Sequence, residues 1–187
     1  MFPFFRFALE VIIALRKPRL PPGGVHVSHH TCMPWDIDFA MELNNGRTLT
    51  LYDLGRFPLA IRLGLPGVLR KNGWNFTMAG VVVRYRRRVT MFQRLEMRSQ
   101  AIGRDARFTY ILQAMYHKGV PTSSVVYRVA AFNKDGIVPA QKVADALGHP
   151  DWNPELPDWV QRWSEAEAER PWPPEFSSDP AFESSAV

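Results

Sequence analysis

The chain has 187 residues, 46% of them apolar and 22% charged, enough for one sizeable core and incompatible with a wholly disordered chain. Its single cysteine excludes a disulfide framework and a four-thiolate zinc site. With 23 Lys and Arg against 18 Asp and Glu the net charge is +5, which favours anionic partners without naming them.

Residues 1–15 are mostly apolar, with Phe2, Phe4, Phe5, Phe7 and Leu9 leading. The stretch falls short of the about 20 residues that span a bilayer. No small-residue cleavage site follows, so a cleaved signal peptide is not expected. Arg6 and Glu10 stand at the spacing of a helical ion pair, and Arg16, Lys17 and Arg19 form a basic collar. Two readings stay open: a helix packed on the domain or on a partner subunit, and a helix lying on a membrane surface.

Pro18, Pro21, Pro22, Gly23 and Gly24 predict a hinge. Residues 25–35 read as a strand, 36–44 as an irregular polar stretch, and 45–63 as a helix in which Pro58 predicts a kink or an early end. After a Gly- and Pro-containing linker, strands are expected at 77–90, 95–103, 107–116 and 123–132. Their short connections imply an antiparallel meander. A short helix at 139–147 starts on proline and is closed by Gly148. A further helix begins near Asp158, and the Pro-, Ser- and acid-rich tail from Pro171 is expected to be mobile. The organisation is therefore an N-terminal helix and hinge (1–24), a main domain (25–148), and a C-terminal helix and tail (149–187). One strand, one long helix and about four strands make an α+β fold, a curved antiparallel sheet wrapped around the helix. The helix N-terminus then points out of the sheet, open to an anion or a polarised carbonyl.

The segment richest in chemistry is 34–47, PWDIDFAMELNNGR. Asp36 and Asp38 precede Asn44, Asn45 and Gly46 at a helix start. Asn44 suits the N-cap, leaving the Asn45 and Gly46 backbone N–H groups free. Such donors stabilise a developing oxyanion, while a nearby carboxylate attacks or activates water. Helix capping with acids near the dipole is the plainer reading of the same residues.

Asp38, the run Asn44-Asn45-Gly46-Arg47 and the following Leu51-Tyr52-Asp53-Leu54 resemble the signature of hotdog-fold acyl-CoA thioesterases of the 4-hydroxybenzoyl-CoA thioesterase type. Within that family the similarity is to the branch called thioesterase superfamily member six, which has a hydrophobic N-terminal segment and a similar tail around Pro154-Glu-Leu-Pro and Gln161-Arg-Trp. The resemblance implies a hotdog fold, thioester hydrolysis, and a homodimer or homotetramer with the site at a subunit interface. It implies Asp38 as the catalytic carboxylate and Asn45, with Gly46, as the donor to the thioester carbonyl. Asp36 reads as structural. Many relatives have Gly-His where this chain has Met41 and Glu42. Met41 then closes an acyl pocket, and Glu42 is either a second acid/base group or a solvated loop acid. The missing histidine leaves room for an acyl-CoA or lipid binder without turnover, and speaks against a dehydratase.

Arg84, Arg86 and Arg88 would share one face of an extended strand. Related thioesterases place basic residues at the turn between their third and fourth strands, where Arg104 and Arg107 fall. These two, from the same or the neighbouring subunit, are therefore preferred for the CoA phosphates over the Arg84–Arg88 run, which reads as a solvated sheet face. Nucleic acid is not an expected partner, because Tyr85 alone interleaves the clustered arginines. His26, His30 and Cys32 share a strand face but are too far apart along one strand to close a metal site alone. The expectation is a cytoplasmic thioesterase without cofactor, CoA being part of its substrate, with contact at the membrane through the N-terminal helix as the open alternative.

Overall fold

The computed structural model describes residues 2–174. The chain divides into two units, 1–154 and 155–187. The first begins with α1 (Phe4–Arg16) and β1 (His26–Thr31). A 3-10 turn at Pro34–Asp36 leads to α2 (Asn45–Arg62) and α3 (Leu65–Asn72). β2 (Asn75–Tyr85), β3 (Arg94–Arg104), β4 (Thr109–His117), β5 (Val120–Asn133) and β6 (Gly136–Val138) follow, and α4 (Ala140–Leu147) ends the series. The second unit carries α5 (Asp158–Glu169), where Gln161 Nε2 donates to the Leu156 carbonyl at 2.7 Å. The tail expected to be mobile lies, from residue 175 on, outside the described residues.

The five long strands run in the order β1-β3-β4-β5-β2, every pair antiparallel, with β6 on the end of β5. The inward face is written with period two: Leu95, Met97, Ser99 and Ala101 of β3 are all buried. They meet Leu51, Tyr52, Leu54 and Leu59 of α2, each wholly buried. The architecture is the hotdog, an α+β sheet wrapped around one helix.

Gly55 lets helix and sheet approach this closely. A Cβ built there would lie 2.5 Å from Met97 Sδ and 2.7 Å from Ser99 Oγ. Under it, Gln113 Nε2 donates to Ser99 Oγ at 2.7 Å and to the Tyr52 carbonyl at 3.0 Å. The pair satisfies polar groups that the packed helix would otherwise strand.

Four local expectations change. Pro58 neither ends nor divides α2, which runs on to Arg62. Proline removes one N–H, and burial of Pro58 and Leu59 holds the last turn. The linker contains α3, with Pro66 in its first turn and Gly73 closing it at φ 66°. The strand expected to reach residue 90 stops at Tyr85, because Arg86 and Arg87 both donate their backbone N–H to the Thr122 carbonyl (2.9 and 3.0 Å) and the chain turns away. β6 was not expected from the sequence. Among the described residues no helix is long and apolar enough to cross a membrane.

Candidate active site

The site grows out of the link between β1 and α2. After the 3-10 turn, Ile37 bridges to Leu43 and closes a loop over residues 38–42. Inside it the Asp38 N–H donates to the Glu42 carbonyl (2.9 Å) and the Met41 N–H to the Asp38 carbonyl (3.0 Å). Met41 holds a left-handed φ of 58°. The loop ends at Asn44, whose N–H donates to the Asp36 carbonyl (2.9 Å).

Asp36 is wholly buried and fully partnered. Its Oδ1 accepts from Arg47 Nε at 3.0 Å, and its Oδ2 from Arg6 Nη1 at 2.9 Å and from the Met33 N–H at 3.1 Å. It is an anchor between α1, the loop and α2, with no face left for substrate. Asp38 differs: it is half-buried, and its Oδ1 accepts from the Ala40 N–H at 2.9 Å. Its Oδ2 has no partner among the described residues.

Asn44 caps α2. Its Oδ1 accepts from the N–H of Gly46 (2.9 Å) and of Arg47 (3.2 Å). The Gly46 N–H, expected to be free, is therefore taken by the cap. The Asn45 N–H has no acceptor among the described residues and stands exposed at the positive end of the helix.

Glu42 and Asn45 line one cleft of about 270 Å³ together with Thr48, Tyr85 and Ser123, and with Arg86, Arg87 and Arg88. Arg88 Nε pairs with Glu42 Oε2, and its Nη2 donates to the Ala40 carbonyl at 2.9 Å, so the loop is strapped to the segment after β2. The side chains of Arg86 and Arg87 are exposed and have no partner among the described residues. Asp38 does not line this cleft. Met41 lines none of the described cavities: it is 62% exposed, and neighbouring Phe39 is 99% exposed.

Arg104 and Arg107 lie elsewhere. Both line a cavity beside Leu59 and Leu63, at the opposite end of α2 from Asn45. The arginines beside Asn45 are those of the 84–88 run. Their cluster was visible in the sequence, but its departure from the strand depends on Thr122, far along the chain.

β1 buries His26, Ser28 and His30 on one face, beneath α1. Ser28 Oγ is 2.8 Å from His30 Nε2, and Glu10 Oε1 is 3.7 Å from His30 Nδ1. The order is that of a hydrolytic triad, but no cavity described opens on it. Burial pushes Glu10 up and His30 down to about 3, so the imidazole is neutral near pH 7 and the contact is not an ion pair. Burial likewise pushes the Cys32 thiol up to about 11, away from the thiolate a nucleophile needs. Among the described residues no group of three His, Cys, Asp or Glu is placed to hold a metal.

The wrapped-helix fold and a helix-start donor beside a carboxylate loop define a hotdog thioesterase-like protein. Residues 32–164 match the Thioesterase-like superfamily, and the chain belongs to that family. Protein THEM6 of Xenopus laevis is 32% identical over 111 residues, 59% of this chain and 54% of that protein. The chain thus spans about half the length of the curated relatives it matches. Among solved structures, a DHNA-CoA thioesterase from Staphylococcus aureus superposes with a TM-score of 0.57 at 12% identity, covering 77% of this chain and 91% of its own. A hypothetical protein from Staphylococcus aureus in complex with CoA gives 0.60 at 10% identity, with 75% and 92% covered. At these identities the structural likeness establishes the fold.

Proposed function

We propose that the chain hydrolyses an acyl-CoA thioester to the free acid and CoA. The observation that carries this reading is the Asn45 N–H, without an acceptor among the described residues and set in one cleft with the Glu42 carboxylate and with Arg86 and Arg87, which have no side-chain partner among those residues. A thioester carbonyl on that N–H gains stabilisation as its oxygen becomes negative. Asp38, in the loop beside the cleft and not in its lining, supplies the carboxylate that attacks the carbonyl or takes a proton from water; its family position and its Oδ2, without a partner among the described residues, support the role. Glu42 is the other carboxylate of the loop. Water adds across the C–S bond, the thiol leaves with a proton, and no cofactor is required. Arg86 and Arg87 hold the CoA phosphates, as neither has a competing partner and both share the cleft with Asn45. That Staphylococcus aureus structure in complex with CoA supports the substrate class.

The exposed Phe39 and Met41 and the open β2 edge support a homodimer or homotetramer that covers them. The lone buried thiol supports a cytoplasmic protein. The apolar outer face of α1, with Phe5 and Leu9 exposed beside Arg16 and Lys17, supports contact with a membrane surface.

A second reading, acyl-CoA binding without turnover, is favoured by one observation: the Glu42 carboxylate of the cleft is already engaged by Arg88. Thiol release from short, long and aromatic acyl-CoAs decides between them, with Asp38→Asn and Glu42→Gln alongside. Turnover lost in folded Asp38→Asn supports the hydrolase. Turnover surviving Asp38→Asn and lost in Glu42→Gln moves the chemistry to Glu42. Binding without turnover on any substrate establishes the binder.

A further inference from the structure

At the far end of α2 from Asn45 the chain encloses a second cavity, of about 90 Å³. Leu59 and Leu63 of α2, Ile111 of β4, and Val143 and Leu147 of α4 give it apolar walls. The hinge and Trp152 close one side: a Cβ built on Gly23 would lie 3.3 Å from the Trp152 indole nitrogen.

Arg104 breaks this apolar pattern. It lines the cavity and is only 8% exposed. Its Nη2 donates to Gln141 Oε1 (2.8 Å) and to the Pro150 carbonyl (2.9 Å), both neutral acceptors. Its Nε is buried with no acceptor among the described residues. Arg107 and His149 also line the cavity, and no Asp or Glu does. The nearest acid in sequence, Asp105, is already engaged by the N–H groups of Arg107 and Phe108 and by the Tyr110 hydroxyl. A buried guanidinium without a counter-ion and with an idle N–H is destabilising. An anion in the cavity relieves both deficits, and the apolar walls require that anion to carry a hydrocarbon tail.

We propose that this cavity binds a short aliphatic carboxylate, its headgroup on Arg104 and Arg107 and its tail against the leucines of α2 and α4. The size sets the tail. A cavity of ~150 Å³ holds six-carbon benzene, so about 90 Å³ takes roughly four carbons. The site is distinct from the cleft at Asn45 and does not depend on the acyl-CoA reading.

The test is a titration of the full chain with butyrate, pentanoate, hexanoate, decanoate and pentanol. It is followed by calorimetry and by the Trp152 indole N–H resonance, assigned with Trp152→Phe. Affinity should rise about fourfold per added methylene up to pentanoate or hexanoate and then level off. Pentanol should bind at least about tenfold more weakly than pentanoate, because it lacks the charge for Arg104. Ala144→Met, which fills the cavity, should remove binding of all the acids, and Arg104→Gln should weaken pentanoate while leaving pentanol unchanged. Saturating free CoA should not displace pentanoate. An unmoved Trp152 resonance, equal affinity for acid and alcohol, affinity that climbs without a plateau through decanoate, or displacement by CoA each overturns the proposal. Should Arg104→Gln fail to fold, the comparison of acid with alcohol on the native chain decides alone.

Discussion

Replacing Asp36 by Asn separates the two acids of the DxD stretch into an anchor and a reactant. The Asp36 carboxylate is wholly buried and faces two guanidiniums, Arg6 and Arg47, whose side chains retain 22% and 16% exposure. The amide of Asn accepts on one side only and turns an N–H2 donor towards the other arginine. Breaking a buried pair by removing one partner costs roughly 3–5 kcal/mol. Both arginines keep some water, so the low end applies, about 3 kcal/mol. For a chain of this length each kcal/mol moves Tm by about 2–4 °C, giving a loss of about 6–12 °C. Thermal melts and urea midpoints at unchanged m-value measure it. A double-mutant cycle with Arg47→Gln should show coupling of roughly 1–3 kcal/mol. Turnover per folded Asp36→Asn molecule should fall less than about tenfold, since the carboxylate has no free face. Asp38→Asn should do the reverse, melting within about 0.5 kcal/mol of the native chain and losing thiol release. Asp36→Asn melting like the native protein while turnover disappears would refute the assignment and make Asp36 the reacting carboxylate.

Three further outcomes are expected. Burial pushes His26 down to about 4 and His30 to about 3, whereas the unfolded chain titrates them near 6.5. Stability is therefore full above about pH 6.5 and falls as pH drops, each histidine costing about tenfold in the folding constant per pH unit down to its folded value. Glu10, raised by burial, has the opposite sign, contributing stability that is lost as pH rises through its folded value. Urea midpoints between pH 4 and 7.5 show the net slope, and His30→Gln should flatten it. Arg86→Gln with Arg87→Gln should raise KM for acyl-CoA roughly tenfold or more per lost phosphate contact and leave an acyl-pantetheine thioester unchanged, as steady-state kinetics on both substrates will show. Gly55→Ala should lower stability by about 1–3 kcal/mol despite a helix-propensity gain of about 1 kcal/mol, because its Cβ meets buried Met97 and Ser99; the urea midpoint reads this directly.

The features legible in the sequence are those decided within a few residues. Asn44 before a helical run announces its own cap, and alternation in β3 announces its buried face. The misreadings share a cause of longer range. Arg86 leaves the sheet because of a carbonyl 36 residues on, at Thr122. Asp36 reads as structural in the sequence, but its partners are not legible there, because Arg6 and Arg47 converge on it from two helices. Arg104 and Arg107 sit at the expected turn, and only the fold shows that within one chain this turn lies at the other end of α2 from Asn45. α3 was hidden by its Pro66 and Gly67, whose linker-like composition also suits a helix start.

The attachment of α1 bears on how membrane contact is to be tested. Its inner face belongs to the site: Arg6 holds Asp36, Phe7 meets Phe57 edge to face at 5.2 Å, and Glu10 covers His30. Deleting residues 1–17 would strip Asp36 of one counter-ion and open the buried histidines to water, so loss of activity or of localisation after deletion has two causes. Substitutions confined to the outer face avoid this. Phe5→Glu with Leu9→Lys changes two exposed side chains and leaves every one of those inner contacts in place. Binding to vesicles containing anionic lipid should then fall while Tm and thiol release in solution stay at native values. Unchanged vesicle binding would refute membrane contact through the outer face of α1.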